Sequence, residues 1–349
     1  MTRFQHDKRR AAFVLKRPPR HDSRKEPSVS GKPKLLVTRL TPPNVEARIA
    51  RDYDAVTNPD DVIWSTAELL KKAEGCDAIL CSPTEPMPAD VIDRLPDSVK
   101  ALATFSVGYD QIDIPAATKR GIKVGNTPEV LDNATADIAM LCLLGAARMA
   151  HNATTVLRTG QWKRWEPTGL LGVHVTGKRL GIMGMGRIGR ALAKRARGFD
   201  MEIHYHNRNR LDPDLEQGAV YHADPEEMLP QCDFISFNCP LTDQTRHFLN
   251  AARIEMLPQG AVMVNTARGP VVDDNAVIAA LKSGRIAAAG LDVFEDEPNF
   301  NRAYLDLPNA FLLPHIGSAT VETRDAMGNL CLDNLDAFFA GKPMPAPVN

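Results

Sequence analysis

The chain has 349 residues, 44% of them hydrophobic and 24% charged, with a formal net charge of −1. At roughly 100–200 residues per domain, this length implies about two domains of ordinary globular composition. No apolar run reaches the roughly 18 residues of a spanning helix, and a charge near zero leaves no nucleic-acid footprint, so neither a membrane nor a nucleic acid is expected as partner. The average hides an imbalance. Residues 1–34 carry 11 Lys and Arg against 3 Asp and Glu, while the remaining 315 carry 31 against 40.

The basic extension over residues 1–33 lacks the apolar core of a secretory signal. Its Lys, Arg, Pro and Ser content cannot bury enough apolar surface to order itself, so it reads as disordered. A transit peptide or a phosphate-binding arm are the alternatives, although Asp7, Asp22 and Glu26 argue against the acid-poor composition of the former. A cytoplasmic enzyme is expected. Six cysteines (Cys76, Cys81, Cys142, Cys232, Cys239, Cys331) form no C-x-x-C pair and read as small buried hydrophobes. The scattered histidines give no metal-ligand cluster.

In chain order, strands are predicted at 34–39, 77–82, 100–105 and 122–124, with helices at 44–52, 88–95 and 113–120 between them. A helix apolar on nearly every face follows over 133–149, then a polar loop holding Trp162 and Trp165. A second series has strands at 179–183, 201–206, 233–237, 261–265, 287–291 and 311–313. Helices are predicted to run from the glycine-rich turn to about Phe199 and over 225–230, 250–256 and 273–283. Strands alternating with helices indicate parallel sheets with crossover connections. The expected fold is α/β, with two Rossmann-like, doubly wound parallel-sheet domains and an active-site cleft between them. Residues 34–131 with 319–349 would form a flavodoxin-like substrate domain, and 132–318 a dinucleotide-binding domain.

The turn Gly184-Met185-Gly186-Arg187-Ile188-Gly189 follows a predicted strand and opens a helix, the context that makes G-x-G-x-x-G a dinucleotide fingerprint. The first glycine makes the turn, the second lets the pyrophosphate approach backbone, and the third permits close packing of helix on strand. The helix N-terminus then faces the phosphates, and Arg187 can add charge to it. An NAD site places a carboxylate at the end of the next strand to accept from the ribose 2′-OH. Here the chain reads His206-Asn207-Arg208-Asn209-Arg210. Arginine binds a 2′-phosphate that a carboxylate would repel, so NADP(H) is the preferred cofactor and NAD(H) remains open.

Three further segments place polar groups just after apolar strands: 265–269 (NTARG), 292–298 (DVFEDEP) and 314–318 (PHIGS). Ligands of open α/β sheets bind beyond the carboxyl ends of the strands, so Arg268, Glu297 and His315 are expected to meet in one crevice. With the glycine fingerprint these motifs resemble the D-isomer-specific 2-hydroxyacid dehydrogenases, and within them the glyoxylate/hydroxypyruvate reductases. The resemblance runs from about Lys34 to the C-terminus.

It implies that Arg268 binds the substrate carboxylate and carbonyl oxygen. His315 would act as general acid, with Glu297 orienting its ring and stabilising the imidazolium. Val107 and Gly108 would offer backbone N–H groups to the carboxylate. Cofactor contacts are implied at Thr135, Cys239, Pro240 and Thr245, and again at Thr266, Ala267, Asp292, His315 and Gly317. The tryptophan loop would help form a homodimer, with Trp165 reaching the partner's substrate site. The reaction implied is reduction of glyoxylate to glycolate and hydroxypyruvate to D-glycerate. Bulkier 2-keto acids such as phenylpyruvates are the alternative substrates, and a dinucleotide-sensing corepressor is the non-enzymatic one.

Overall fold

A computed structural model describes residues 31–349; most of the basic extension, and its predicted disorder, lies outside the described residues. The first series folds as β1 (Lys34–Val37), α1 (Pro43–Asp52), β2 (Asp54–Val56), α2 (Thr66–Lys72) and β3 (Ala78–Cys81). It continues through α3 (Ala89–Arg94), β4 (Ala101–Thr104), α4 (Ile114–Lys119) and β5 (Lys123–Gly125). These five strands form one parallel sheet in the order β2-β1-β3-β4-β5, the flavodoxin-like order. Every residue of β3 and of β4 is buried, because helices cover both faces.

Two helices follow, α5 (Asp132–Ala147) and α6 (Ala150–Arg158), separated by Met149 in the left-handed region at φ +50°. The second series begins with β6 (Arg179–Met183), α7 (Arg187–Arg197), β7 (Glu202–His206), α8 (Pro213–Glu216) and β8 (Val220–Tyr221). Then come α9 (Pro225–Met228), β9 (Phe234–Phe237), α10 (Ala251–Met256), β10 (Ala261–Asn265) and α11 (Asp274–Ser283). The chain ends with β11 (Ile286–Leu291), β12 (Ala310–Leu312) and α12 (Val321–Phe339). The seven strands from β6 onward form a second parallel sheet, ordered β12-β11-β10-β9-β6-β7-β8. This is the doubly wound dinucleotide-binding order with one strand added. Two parallel sheets are as expected from the sequence, each with one short edge strand more than predicted.

Each sheet has a hydrophobic core on either face. On one face of the first sheet Leu35, Val37 and Leu80 pack against Cys331, Leu332 and Leu335, so α12 returns to the first sheet after the chain has built the second. Asn334 of α12, fully buried, donates to the Asn126 carbonyl and accepts from the Ala346 N–H, which ties the last residues beside β5. The α5 helix buries ten of its sixteen residues against the second sheet and α7, consistent with its apolar circumference.

Five elements are not anticipated, among them the four-residue helix α8, too short to show a helical repeat. Strands β2 and β8 are edge strands of three and two residues, too short to carry an alternating pattern. Helix α2 is polar on most faces, although Ser65 and Glu68 close a full capping box before it. Helix α6 falls where a loop is expected, because none of its residues is buried and the apolar pattern stops at Met149.

Candidate active site

The two halves of the second sheet diverge between β6 and β9, and the crevice at their carboxyl ends is where such sheets bind ligands. Gly184 turns there at φ +94°, and a Cβ on it would lie 2.6 Å from the Cys239 backbone nitrogen. A Cβ on Gly189 would lie 2.3 Å from the Gly184 carbonyl oxygen, so the third glycine permits the close packing of α7. A Cβ on Gly186 would instead meet open space. Gly186 is the N-cap of α7 and offers no side-chain cap, which leaves the first N–H groups of the helix for an anion. Nearby at the strand ends, Asn238 Oδ1 and Thr266 Oγ1 are buried without a hydrogen-bond partner among the described residues. Open space at the helix N-terminus and orphaned polar atoms beside it fit a dinucleotide's phosphates and ribose.

The surrounding side chains divide. The Met185 side chain is fully buried, so only its backbone reaches the loop, and Ile188 is half-buried on α7. Asn207 Oδ1 accepts from the Met185 N–H at 2.7 Å, so this amide braces the glycine turn. Arg208 and Asn209 are exposed at the end of β7, and Arg208 forms no ion pair among the described residues. Arg210 differs from the expectation of a cofactor arginine. Its guanidinium holds Glu216 at 2.8 and 3.1 Å, and Tyr205 also donates to that carboxylate. These hydrogen bonds keep the Glu216 carboxyl below its ordinary range. Arg187 pairs with Glu129, from the segment between β5 and α5. Thr245 spends its hydroxyl on its own turn, donating to the Pro240 carbonyl at 2.8 Å. Pro240 is exposed beside the buried Cys239, whose thiol burial pushes up to about 11; that thiol is a packing group, not a nucleophile.

The candidate catalytic side chains stand after β10, β11 and β12. His315 Nδ1 meets Glu297 Oε2 at 2.7 Å, and Glu297 Oε1 accepts from the Phe294 N–H, also at 2.7 Å. His315 sits at φ +53°, a region costly for a non-glycine residue, and its N–H donates to the Asp292 carbonyl at 2.8 Å. The buried Asp292 carboxylate accepts from the Ile316 and Gly317 N–H groups at 2.8 Å each. Burial nevertheless pushes its carboxyl above the ordinary range. Asp292 therefore shapes the backbone that carries His315. A Cβ on Gly317 would lie 3.4 Å from the Thr135 methyl, which places Thr135 of α5 beside the same turn. With Nδ1 engaged by Glu297, Nε2 of His315 has no partner among the described residues.

Arg268 lies in the loop after β10. Buried Asn265 accepts from the Ala267 N–H at 3.1 Å and donates to the Arg268 carbonyl at 2.9 Å, which shapes that loop. The guanidinium reaches the loop after β4 in the first sheet. A Cβ on Gly108 would lie 1.7 Å from Arg268 Nη2, so the guanidinium rests directly on the Gly108 backbone. In the same loop Asn126 Nδ2 donates to the Val107 carbonyl at 2.8 Å and Ser106 Oγ to the Gly108 carbonyl at 2.6 Å. The N–H groups of Val107 and Gly108 have no hydrogen bond among the described residues. Two free N–H groups beside a guanidinium form a carboxylate-sized donor set.

Sequence reading assigned no role to Glu85. This buried carboxylate accepts from Thr38 Oγ1 at 2.6 Å, Thr84 Oγ1 at 2.6 Å and the Ser82 N–H at 2.8 Å, joining the carboxyl ends of β1 and β3. Nothing in its local sequence distinguishes it from a surface acid. Trp165 is 76% exposed and Trp162 60%, and neither belongs to the site built by its own chain.

This fold and this site define an oxidoreductase built around a dinucleotide. The NAD binding domain of the D-isomer specific 2-hydroxyacid dehydrogenases matches residues 140–317. The chain is 46% identical over 315 residues to a glycerate dehydrogenase of Hyphomicrobium methylovorum, covering 90% of this chain and 98% of that protein. It is 44% identical over 322 residues to a glyoxylate reductase of Thermococcus litoralis, covering 91% and 97%. Among solved structures, an NADPH-dependent glyoxylate/hydroxypyruvate reductase from Sinorhizobium meliloti, in complex with NADP and malonate, superposes with a TM-score of 0.82 at 36% identity. That match covers 91% of this chain and 97% of the other. The chain belongs to the D-isomer-specific 2-hydroxyacid dehydrogenase family. Among the described residues no helix is long and apolar enough to cross a membrane, and no group of side chains is arranged to hold a metal.

Proposed function

We propose that this chain is an NADPH-preferring reductase of small 2-keto acids, taking glyoxylate to glycolate and hydroxypyruvate to D-glycerate. The observation that carries the reading is the His315–Glu297 couple at 2.7 Å, a proton donor whose outer nitrogen is left for a substrate oxygen. Arg268 with the Val107 and Gly108 N–H groups would bind the keto acid's carboxylate. Arg268 would also polarise the carbonyl, and His315 Nε2 would deliver the proton to the oxygen that becomes the hydroxyl. The α7 N-terminus, Asn238 and Thr266 would hold the cofactor, with Thr135, Cys239, Pro240 and Ala267 around it. When bound, the nicotinamide supplies the hydride.

The NADPH preference rests on the end of β7, where no carboxylate stands and Arg208 is exposed without an ion partner among the described residues. The expected kcat/KM with NADPH exceeds that with NADH by about tenfold or more, the worth of one charge-assisted contact. Arg208→Ala lowers the NADPH value by a similar factor and leaves the NADH value unchanged. Steady-state rates with both cofactors on glyoxylate, hydroxypyruvate and phenylpyruvate test the whole reading. A preference for NADH removes the cofactor assignment. Phenylpyruvate winning by more than about tenfold, roughly 1.4 kcal/mol, removes the substrate assignment.

We also propose the domain division 34–131 with 319–349 against 132–318, and a homodimer formed through α6 and the loop after it. That region exposes Leu157, Trp162, Trp165 and Leu171, the residue types of an interface core. Trp165 would reach the partner's substrate site. Small-angle scattering tests both: a mass of two chains, and compaction when NADPH is added. A monomer's mass, or no compaction, counts against the corresponding part.

A further inference from the structure

We propose that Asp110 is the positioning residue for the Arg268 guanidinium, holding it from across the crevice so that its terminal nitrogens face the substrate. The inference rests on the reading of Arg268 as the carboxylate binder and adds the group that aims it. Asp110 follows β4 of the first sheet, and Arg268 follows β10 of the second. Asp110 Oδ1 accepts from Arg268 Nε at 3.1 Å, and the Ala267 carbonyl accepts from Nη1 at 2.8 Å. Nη2 lies over the Gly108 backbone. A guanidinium has five N–H donors in one plane. Two are committed, and those two fix the plane and its rotation about the side-chain axis. The donors that remain are both hydrogens of Nη2 and one of Nη1, at the end of the fork beside the free N–H groups of Val107 and Gly108.

An acid here places a negative charge near the proposed site of an incoming carboxylate, which on its own would oppose the function. The geometry resolves this. Asp110 takes the Nε edge, where an approaching carboxylate would otherwise bind side-on. A carboxylate on the Nε edge is excluded by an acceptor and by like charge, and the end-on mode is left. A long flexible side chain without that brace would lose rotamer freedom only on binding. The cost would fall on substrate affinity more than on the chemical step.

The test compares Asp110→Ala and Asp110→Asn with the natural enzyme, saturated with NADPH. Asparagine keeps an acceptor oxygen at the same reach. Asp110→Ala is expected to raise the KM for glyoxylate about tenfold with kcat within about threefold, while the KM for NADPH stays within about twofold. Asp110→Asn is expected to recover the KM to within about threefold of the natural value. Calorimetric titration of oxamate into the NADPH complex should show the same ordering of Kd without turnover. A KM and oxamate Kd for Asp110→Ala within twofold of the natural enzyme overturn the proposal. So does an asparagine variant as impaired as the alanine one, or an equal rise in the KM for NADPH. The unsubstituted enzyme, measured first, separates this from the underlying reading: if it neither reduces glyoxylate nor binds oxamate, the substrate assignment has failed and not the role of Asp110.

Discussion

Replacing His315 by alanine should lower kcat for glyoxylate reduction by about a thousandfold, within the range of about 10²–10⁴ that a positioned general acid supplies. The KM values for keto acid and NADPH should each change by less than about threefold, because the ring's work falls on the reacting oxygen. The size of the loss follows from how the ring is held. Glu297 fixes Nδ1 at 2.7 Å and is itself fixed by the Phe294 N–H, so the ring has one orientation and one tautomer in its neutral form. The backbone under it is held at φ +53° by its bond to the Asp292 carbonyl, while the Asp292 carboxylate grips the next two N–H groups. That left-handed geometry persists only because its surroundings over-determine it. Glu297→Gln leaves an acceptor for Nδ1 and should cost less than the removal of the ring. Rates at saturating cofactor and substrate, followed by loss of NADPH absorbance, decide it. A loss of less than about tenfold in His315→Ala would undo its assignment as acid.

What was legible in the chain was what a local pattern encodes. The fingerprint glycines could be read because they fall in one short motif between a strand and a helix; of the demands behind them, that on Gly189 is local, from the Gly184 carbonyl, while that on Gly184 comes from the distant Asn238 and Cys239. The placement of Arg268, Glu297 and His315 was legible because each follows an apolar strand, and parallel strands put their carboxyl ends on one side. The partners of charged side chains were not legible. Arg187 and Arg210 read as cofactor groups from their position near the fingerprint, yet Glu129 and Glu216 hold them. Either pairing depends on which acid the fold brings within a few ångströms, and surface acids and bases carry no pattern that says so. The same holds for Asp110 and for the buried Glu85. Helix α6 was missed for a related reason: its short apolar stripe of Ala150, Ala153 and Val156 is only half-buried, among polar residues that read as loop.

Gly108→Ala should raise the KM for glyoxylate by about a hundredfold, about 2.7 kcal/mol, while leaving the fold nearly as stable as before. A Cβ at this position would sit 1.7 Å from Arg268 Nη2 and 2.8 Å from Cζ, far inside contact distance. A flexible tip normally swings away from such an intrusion at little cost. This one is held at Nε by Asp110 and at Nη1 by the Ala267 carbonyl, so it yields only by giving up both. Its displacement moves the terminal nitrogens off the side of the loop where the N–H groups of Val107 and Gly108 are free, and the carboxylate loses the convergence of its donors. Stability changes little because the position is not one that requires a left-handed glycine, and the clash falls on a charged side chain at the crevice, not on the core. Initial rates at saturating NADPH, with thermal unfolding of the same sample, separate the two effects. A KM within about threefold of the natural enzyme would show that Arg268 does not rest on this loop during turnover. A large fall in the unfolding temperature would show that Gly108 serves the fold instead of the substrate.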